Sequence, residues 1–500
     1  MFCPKCSSDN IRETKDKAQS GKSRWKCRPC GHRTTSPLSA PNPLTQGAIN
    51  KSSIKGVREF VITNAVCNAS LHKGFYSLKA FSEAKNAQLI VIPTVYNWQR
   101  KEEVKLHDDV TPYLLTKDLI LNKNIMIKAS NLRPTLANPL SGKAGIGGTR
   151  SCVFGHPQVA MEMIATPKSE LPRMLHTTGA CTNKYYSKTV HGQYTNEGEK
   201  GALHHSIGGL YVKIKGNKFW TRELICSPDG SFIDLGEKWT PDGMEGADRV
   251  PCLVLGDVHA VFLDDKERKA TIEQIKRLKP EHIVIHDLHD NYADSHHHKN
   301  NYWLNYHKQV NQLDGLRAEL QKAAEFVDEV AQYGKPVLVH SNHHDHLEQW
   351  FNRHRPNGDR PHIENDALWS ELHTIGRKHI DETGQTPNLF NLYLQKYCKN
   401  DFEVTSRNKP YMIAGVDVSQ HGDKGANGGR GHSGFIKSAF KMFLGHSHTP
   451  KIQKGAWWVG VLALNMGYAL GLSSWFVTNG VINENGKRQL LHIIDGDTGL

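Results

Sequence analysis

Five short motifs in the second half of the chain carry side chains able to hold divalent metals. In order they are Gly256-Asp257-Val258-His259, His286-Asp287-Leu288-His289-Asp290, Ser341-Asn342-His343-His344-Asp345, His421-Gly422 and Gly445-His446-Ser447-His448. Two divalent cations about 3.5–4 Å apart need a bridging carboxylate, several imidazoles and a neutral oxygen donor. Asp, His and Asn provide these without neutralising the ions so far that they lose Lewis acidity. Any one motif is weak, because a lone D-x-H or G-H-x-H arises by chance and a single histidine is more often structural. Five in this order are far more specific. Histidine usage leans the same way, with 29 in the chain and many clustered between Asp257 and His448.

A second set opens the sequence. Cys3-Pro4-Lys5-Cys6 and Cys27-Arg28-Pro29-Cys30 are two C-x2-C knuckles around a twenty-residue spacer. Four thiolates so spaced can surround one Zn²⁺ tetrahedrally, and a module this small could not hold a core without the ion. Cys3, Cys6, Cys27 and Cys30 are therefore expected to bind one structural Zn²⁺. Thiol exchange would need only one knuckle, and no thioredoxin-like context surrounds either. The pattern resembles a zinc ribbon. Its basic residues with Trp25 offer a phosphate-contact surface and one stacking ring; a purely structural or protein-docking ribbon is the alternative.

The elements that must position these residues follow from apolar runs and turn signals. Short buried strands are expected at 251–255, 282–285, 336–340 and 440–444, each ending in one of the motifs, where α/β folds place ligand sites. Helices are expected at 271–278, over a long region 303–332, and within 366–397. The tail after Pro450 reads as antiparallel strands, with Asn485-Gly486 as a hairpin turn. The apolar stretch 457–477 is interrupted by Asn465 and Ser473-Ser474, so buried strands fit it better than a membrane span. Upstream, strand, helix and strand at 59–63, 75–87 and 89–93 form a βαβ unit. A Pro/Ser/Asn-rich stretch at 36–43 reads as a linker. The expected organisation is a zinc ribbon (1–36), a linker (37–54), an α/β domain (55–248) and the motif-bearing domain (249–500).

At 500 residues, two or three domains are expected, and 38% hydrophobic with 23% charged residues is a soluble globular composition. The 63 Lys+Arg against 50 Asp+Glu leave +13, which favours polyanionic partners; a merely solvated basic face is the bland reading. The cysteines beyond the knuckles are scattered, which reads as reduced thiols in a cytosol. Gly142 to Gly148 is glycine-rich but lacks the phosphate-loop form. His296-His297-His298 reads as a solvated loop, with lining of the substrate cleft as the other possibility.

The order of the five motifs resembles the calcineurin-like metallophosphoesterase family over about 251–500. That resemblance implies a β-sandwich flanked by helices, preceded here by the smaller α/β domain and the ribbon. It implies that Asp257, His259, Asp287 and His448 hold one metal and Asp287, Asn342, His421 and His446 the other; the mixed His/carboxylate donors suit Mn²⁺, with Fe, Zn and Mg as the alternatives. A metal-activated water would attack phosphorus in line, and His343 would stabilise the transition state and protonate the leaving oxygen. The sequence departs from the family at His286 and Ser341, where glycine is usual, and at His344, where an acidic residue is usual. His432 competes with His421 for its role. A further resemblance, carried by Val61-Ile62-Thr63-Asn64-Ala65, His72-Lys73 and the run 89–94, is to the early DNA-degrading proteins of T5-like bacteriophages. It implies a metal-dependent deoxyribonuclease acting in the host cytoplasm, with DNA as partner, no membrane, and a homo-oligomer left open. A phosphodiesterase or phosphatase for a small nucleotide is the first alternative. A non-enzymatic nucleic-acid binder with a decayed site is the second.

Overall fold

The structure is a computed structural model. It describes residues 1–500 apart from 2, 4–7, 9, 19–21, 36–46, 97–103, 187–188, 191–192, 195–196, 299, 357–361, 430–432, 439 and 467–469. The chain is mixed α/β and divides into two compact units. One comprises 1–164, 173–247 and 452–454; the other comprises 165–172, 248–451 and 455–500. Among the described residues no helix is long and apolar enough to cross a membrane.

In the first unit, Ile11–Lys17, Ser23–Cys27 and Arg33–Thr34 form an antiparallel ribbon, with Ile11 opposite Cys27. A four-stranded sheet has Glu59–Val66 at its centre, running parallel to Gln88–Thr94 and antiparallel to Gly208–Lys215. The crossover between the parallel pair is the helix Gly74–Ala84. Its spacing puts Phe75, Leu78 and Phe81 on one buried face. Phe81 meets Trp239 edge-on with centroids 4.9 Å apart. The expected βαβ unit is present. Leu119–Ile120, Ile125–Lys128, Ser151–Phe154, Arg173–Thr177 and Ala160–Ile164 make a further sheet.

The second unit is built on a six-stranded sheet in the order Glu403–Val404, Lys335–Leu338, His282–Ile285, Cys252–Val254, Thr478–Ile482, Arg488–His492. The first four strands are parallel. They are short and buried, as parallel strands covered on both faces must be. The last two are antiparallel, with Ile482 opposite Arg488 across the Asn485-Gly486 turn. A second sheet region of this unit pairs Met412–Ile413, Val416–Asp417, Lys441–Leu444 and Ala456–Trp458 in that order. The two sheets meet at Arg488, whose Nη1 donates to the carbonyls of Met442 (2.7 Å) and Gly455 (2.8 Å) while the guanidinium lies 4.6 Å from the Trp457 ring centre. Helices Asp265–Leu278, Leu316–Ala331, Asn342–Arg353, Ile363–Thr383 and Leu389–Tyr397 complete the unit.

Two expectations about elements are corrected. The region 303–332 is two helices, Tyr302–Val310 and Leu316–Ala331. Gln312 takes a left-handed φ of 56° and Gly315 caps the second helix, so the chain breaks between them. The tail is not wholly antiparallel either, because Ala456–Trp458 runs parallel to Lys441–Leu444.

Candidate metal centre

Each motif leaves the C-terminal end of a strand or lies in a loop beside one. Asp257 and His259 follow Cys252–Val254, Asp287 and Asp290 follow His282–Ile285, and Asn342 and His343 open the helix after Lys335–Leu338. His446 and His448 follow Lys441–Leu444. Four of these residues hold left-handed backbone: His259 (φ 43°), Asp287 (43°), His446 (68°) and His448 (57°). Such strain outside glycine costs about 1–3 kcal/mol per residue and concentrates at functional sites.

The side chains converge. His259 Nε2 lies 3.1 Å from His448 Nε2 and 3.5 Å from Asp287 Oδ2, and His448 Nε2 is 3.3 Å from Asp257 Oδ2. Asp257, His259, Asp287 and His448 thus present ligand atoms all within 4.8 Å of one another. The same oxygen of Asp287, Oδ2, is 3.5 Å from His421 Nε2 and 3.8 Å from His343 Nε2. Asn342 and His446, expected in the second group, line the same cavity of about 800 Å³ as His343 and Asp290.

The residues fit dications. Both carboxylate oxygens of Asp257 and of Asp287, Asn342 Oδ1 and His421 Nε2 are buried and find no hydrogen-bond partner among the described residues. An uncompensated buried polar atom costs about 1–3 kcal/mol, and a charged one more. Two atoms that share one cation at about 2.1 Å sit roughly 3.0–3.4 Å apart, close to the spacings above. Burial pushes the Asp257 carboxyl up to about 7, opposed by His421 and reinforced by Asp287. Burial would raise Asp287 too, but His343, His421 and His259 hold it well below the usual carboxylate range. Burial keeps His448 neutral, well below its ordinary value, as a ligand nitrogen must be.

Asp290, to which sequence reasoning gave no role, organises the site. Its Oδ1 lies 3.0 Å from Nδ1 of His259 and 3.0 Å from Nδ1 of His343. With Nδ1–H donated to the carboxylate, each ring turns Nε2 toward Asp287. Burial alone would lower His343, but Asp287 and the hydrogen bond to Asp290 outweigh it and raise it to about 10. The signal was present in the motif, as a carboxylate three residues beyond Asp287.

The departures from the family pattern have local reasons. Ser341 caps the helix Asn342–Arg353, its Oγ accepting from His344 N at 3.3 Å, and His344 closes the capping box with its own side chain. Asp345 turns to His340 (2.6 Å) and Arg407 (3.1 Å), so it does not tune His343. His286 is buried with Nδ1 3.4 Å from His421 Nδ1. A Cβ on Gly445 would land on Asp257 Oδ1 and within 3.0 Å of the His286 ring, so only glycine lets that strand end pass. His297, which is exposed, and His298, which is half-buried, line the cavity, the other possibility given for that run. His432 and the side chain of His296 lie outside what is described.

In the ribbon, Cys3, Cys27 and Cys30 bring their sulfurs within 4.8 Å of one another, and Cys3 and Cys30 are 3.6 Å apart. Two thiolates on a tetrahedral Zn²⁺, each at 2.3 Å, would be separated by about 3.8 Å. Cys6, the expected fourth ligand, lies outside the described residues.

Sequence comparison finds one relative across nearly the whole chain. This chain is 27% identical over 479 residues to Protein A1 of Escherichia phage T5, covering 91% of this chain and 85% of that protein. No protein-family model matches, and no solved structure matches. The similarity to Protein A1 spans both compact units and so includes the five motifs as well as the βαβ segment.

Proposed function

We propose that residues 249–500 form a metallophosphoesterase domain, two sheets flanked by helices, that hydrolyses DNA phosphodiester bonds with two divalent metals. The observation that carries this reading is the Asp287 carboxylate, ringed by His259, His421 and His343 at 3.5–3.8 Å with its own oxygens unsatisfied. Asp257, His259, Asp287 and His448 would hold one ion; Asp287, Asn342, His421 and His446 the other. The ions would supply Lewis acidity and a nucleophilic water at neutral pH, and Mn²⁺ suits this mixed His/carboxylate set.

The chain's own residues do the rest. Burial opposes the charge on His343, but Asp287 and Asp290 favour its protonated form, and the ring faces the cavity, so it can donate to the leaving oxygen. Asp290 orients that ring. Lys424 at the cavity wall supplies a positive charge for a neighbouring phosphate. The net +13 and the basic ribbon suit a polyanion. Similarity to a phage protein supports a phage-encoded enzyme at work in the host cytoplasm.

The test is Mn²⁺-dependent degradation of linear and circular DNA by the full chain, Asp287→Ala and His343→Ala. The wild type degrades DNA and both variants fail, with cutting of circles marking an endonuclease. DNA surviving while an aryl phosphodiester or a small nucleotide ester is cleaved would retain the site and overturn the polymer substrate.

A further inference from the structure

The helix Tyr302–Val310 is turned inside out. Its lysine, Lys308, is buried, while Tyr302 (70% exposed), Trp303 (75%), Tyr306 (53%) and Val310 (62%) face solvent. A surface helix ordinarily does the reverse, and a contiguous exposed apolar patch on a soluble chain marks an interaction site. The rings form a cluster: Trp303 meets Tyr302 edge-on at 5.3 Å and Tyr306 edge-on at 6.4 Å.

The buried face explains the orientation. Lys308 Nζ donates to the carbonyl of Tyr292 and to His298 Nδ1 (2.9 Å), and lies 4.2 Å from the Tyr292 ring centre. Asn305 Nδ2 donates to the His298 carbonyl at 3.1 Å, and Asn301 N to the same carbonyl at 2.9 Å. His298 lines the catalytic cavity. The helix is thereby fastened to the cavity wall, and Trp303 stands five residues from it, a span of at most about 18 Å along the chain.

We propose that Tyr302, Trp303 and Tyr306 are a stacking platform for the unpaired bases of single-stranded DNA whose backbone enters the cavity. The inference rests on the phosphoesterase reading and adds a strand preference to it. Charge selects this occupant: from Ser295 to Leu313 the sequence has no Asp or Glu, and the polar residues are Asn, Gln, His, Lys and Ser. No carboxylate of this segment itself repels a phosphodiester chain. Two tyrosines and a tryptophan give the flat faces that bases of any identity stack on.

The experiment uses the full chain with its ribbon zinc in place and no Mn²⁺ added, and a fluorescein-labelled twelve-residue oligodeoxythymidine, read by anisotropy, with a blunt duplex of equal length alongside. Trp303→Ala is expected to weaken single-strand binding roughly tenfold, as loss of one stacked base implies, and Trp303→Phe to restore most of it. Duplex binding should change far less. Hydrolysis of a small aryl phosphodiester with Mn²⁺ should be unchanged in Trp303→Ala, because that substrate does not reach the platform. Equal oligonucleotide binding by wild type and Trp303→Ala overturns the platform, as does a fall in oligomeric mass caused by the substitution, which would make the patch a contact between copies. If Trp303-dependent binding persists while the wild type hydrolyses no phosphodiester, the platform stands and the catalytic reading falls.

Discussion

His259 and His343 share one carboxylate oxygen, Asp290 Oδ1, at 3.0 Å each. A single side chain thus sets the orientation of both imidazoles, the first a metal ligand and the second a proton donor in the proposed reaction. Burial opposes Asp290's ionisation, but hydrogen bonds from His259 and His343 hold it far below the usual carboxylate range.

Asp290→Asn keeps the shape but lets the side-chain amide donate where the carboxylate accepted. Loss of such an orienting partner costs about 10–100-fold in metal affinity or activity. Both should fall here: kcat on an aryl phosphodiester, and the affinity for Mn²⁺ measured by titration. Unchanged Mn²⁺ affinity would separate His259 from the metal site.

Gly445→Ala tests the packing of the Asp257 carboxylate. The added methyl would lie 2.2 Å from Oδ1 and 3.0–3.1 Å from Cγ and Cβ of His286. Activity should fall at least about 100-fold from a displacement of order 1 Å, while the fold survives as judged by circular dichroism. Near-wild-type activity would show that Asp257 can move without consequence, against a ligand role.

The convergence of Asp257, Asp287, Asn342 and His446 on one region was legible because each motif follows the end of a short buried strand. Periodicity also revealed the crossover between Glu59–Val66 and Gln88–Thr94. What the sequence did not reveal was chain direction and partner choice. Ala456–Trp458 is apolar whether it pairs parallel or antiparallel, so its alignment with Lys441–Leu444 is decided by tertiary packing around Arg488. Asp290 was hidden for a similar reason, since its two histidine partners come from positions 31 and 53 residues away. His286 and Ser341 looked like losses from a glycine pattern and are a buried ring and a helix cap.

Acid should unfold the helical layer of the second unit through Glu371. It accepts from Arg317 Nη1 and Lys396 Nζ, each at 2.7 Å, and from Tyr397, joining Leu316–Ala331, Ile363–Thr383 and Leu389–Tyr397. Burial pushes the carboxyl up, yet the hydrogen bonds from Lys396, Tyr397 and Arg317 bring it down to about 2. A depressed carboxylate stabilises fully above its unfolded value near 4.5 and loses that contribution as pH falls toward 2. Glu371→Gln should therefore cost about 1–2 kcal/mol at pH 7, after discounting for solvent, and progressively less below pH 4.5. Urea titrations at pH 7 and pH 3 measure the difference; a gap that stays constant with pH would mean the carboxylate's charge does nothing.

The metal-free chain should be strained at Asp257, whose two oxygens are buried without hydrogen bonds beside Asp287. Asp257→Asn removes that charge and should raise the melting temperature of the metal-free protein by a few degrees, the usual stabilisation when a functional carboxylate is neutralised. The sign with pH follows from burial raising the folded carboxyl to about 7 from 3.8. Between those values the folded chain binds the extra proton, so wild-type stability from this group declines as pH rises and the advantage of Asn levels off above about pH 7. Mn²⁺ should reverse the ranking. At 100 times its dissociation constant it adds about 2.7 kcal/mol to the wild type and little to Asp257→Asn. Scanning fluorimetry with and without Mn²⁺ reads both effects, and an equal Mn²⁺ shift in the two proteins would remove Asp257 from the ligand set.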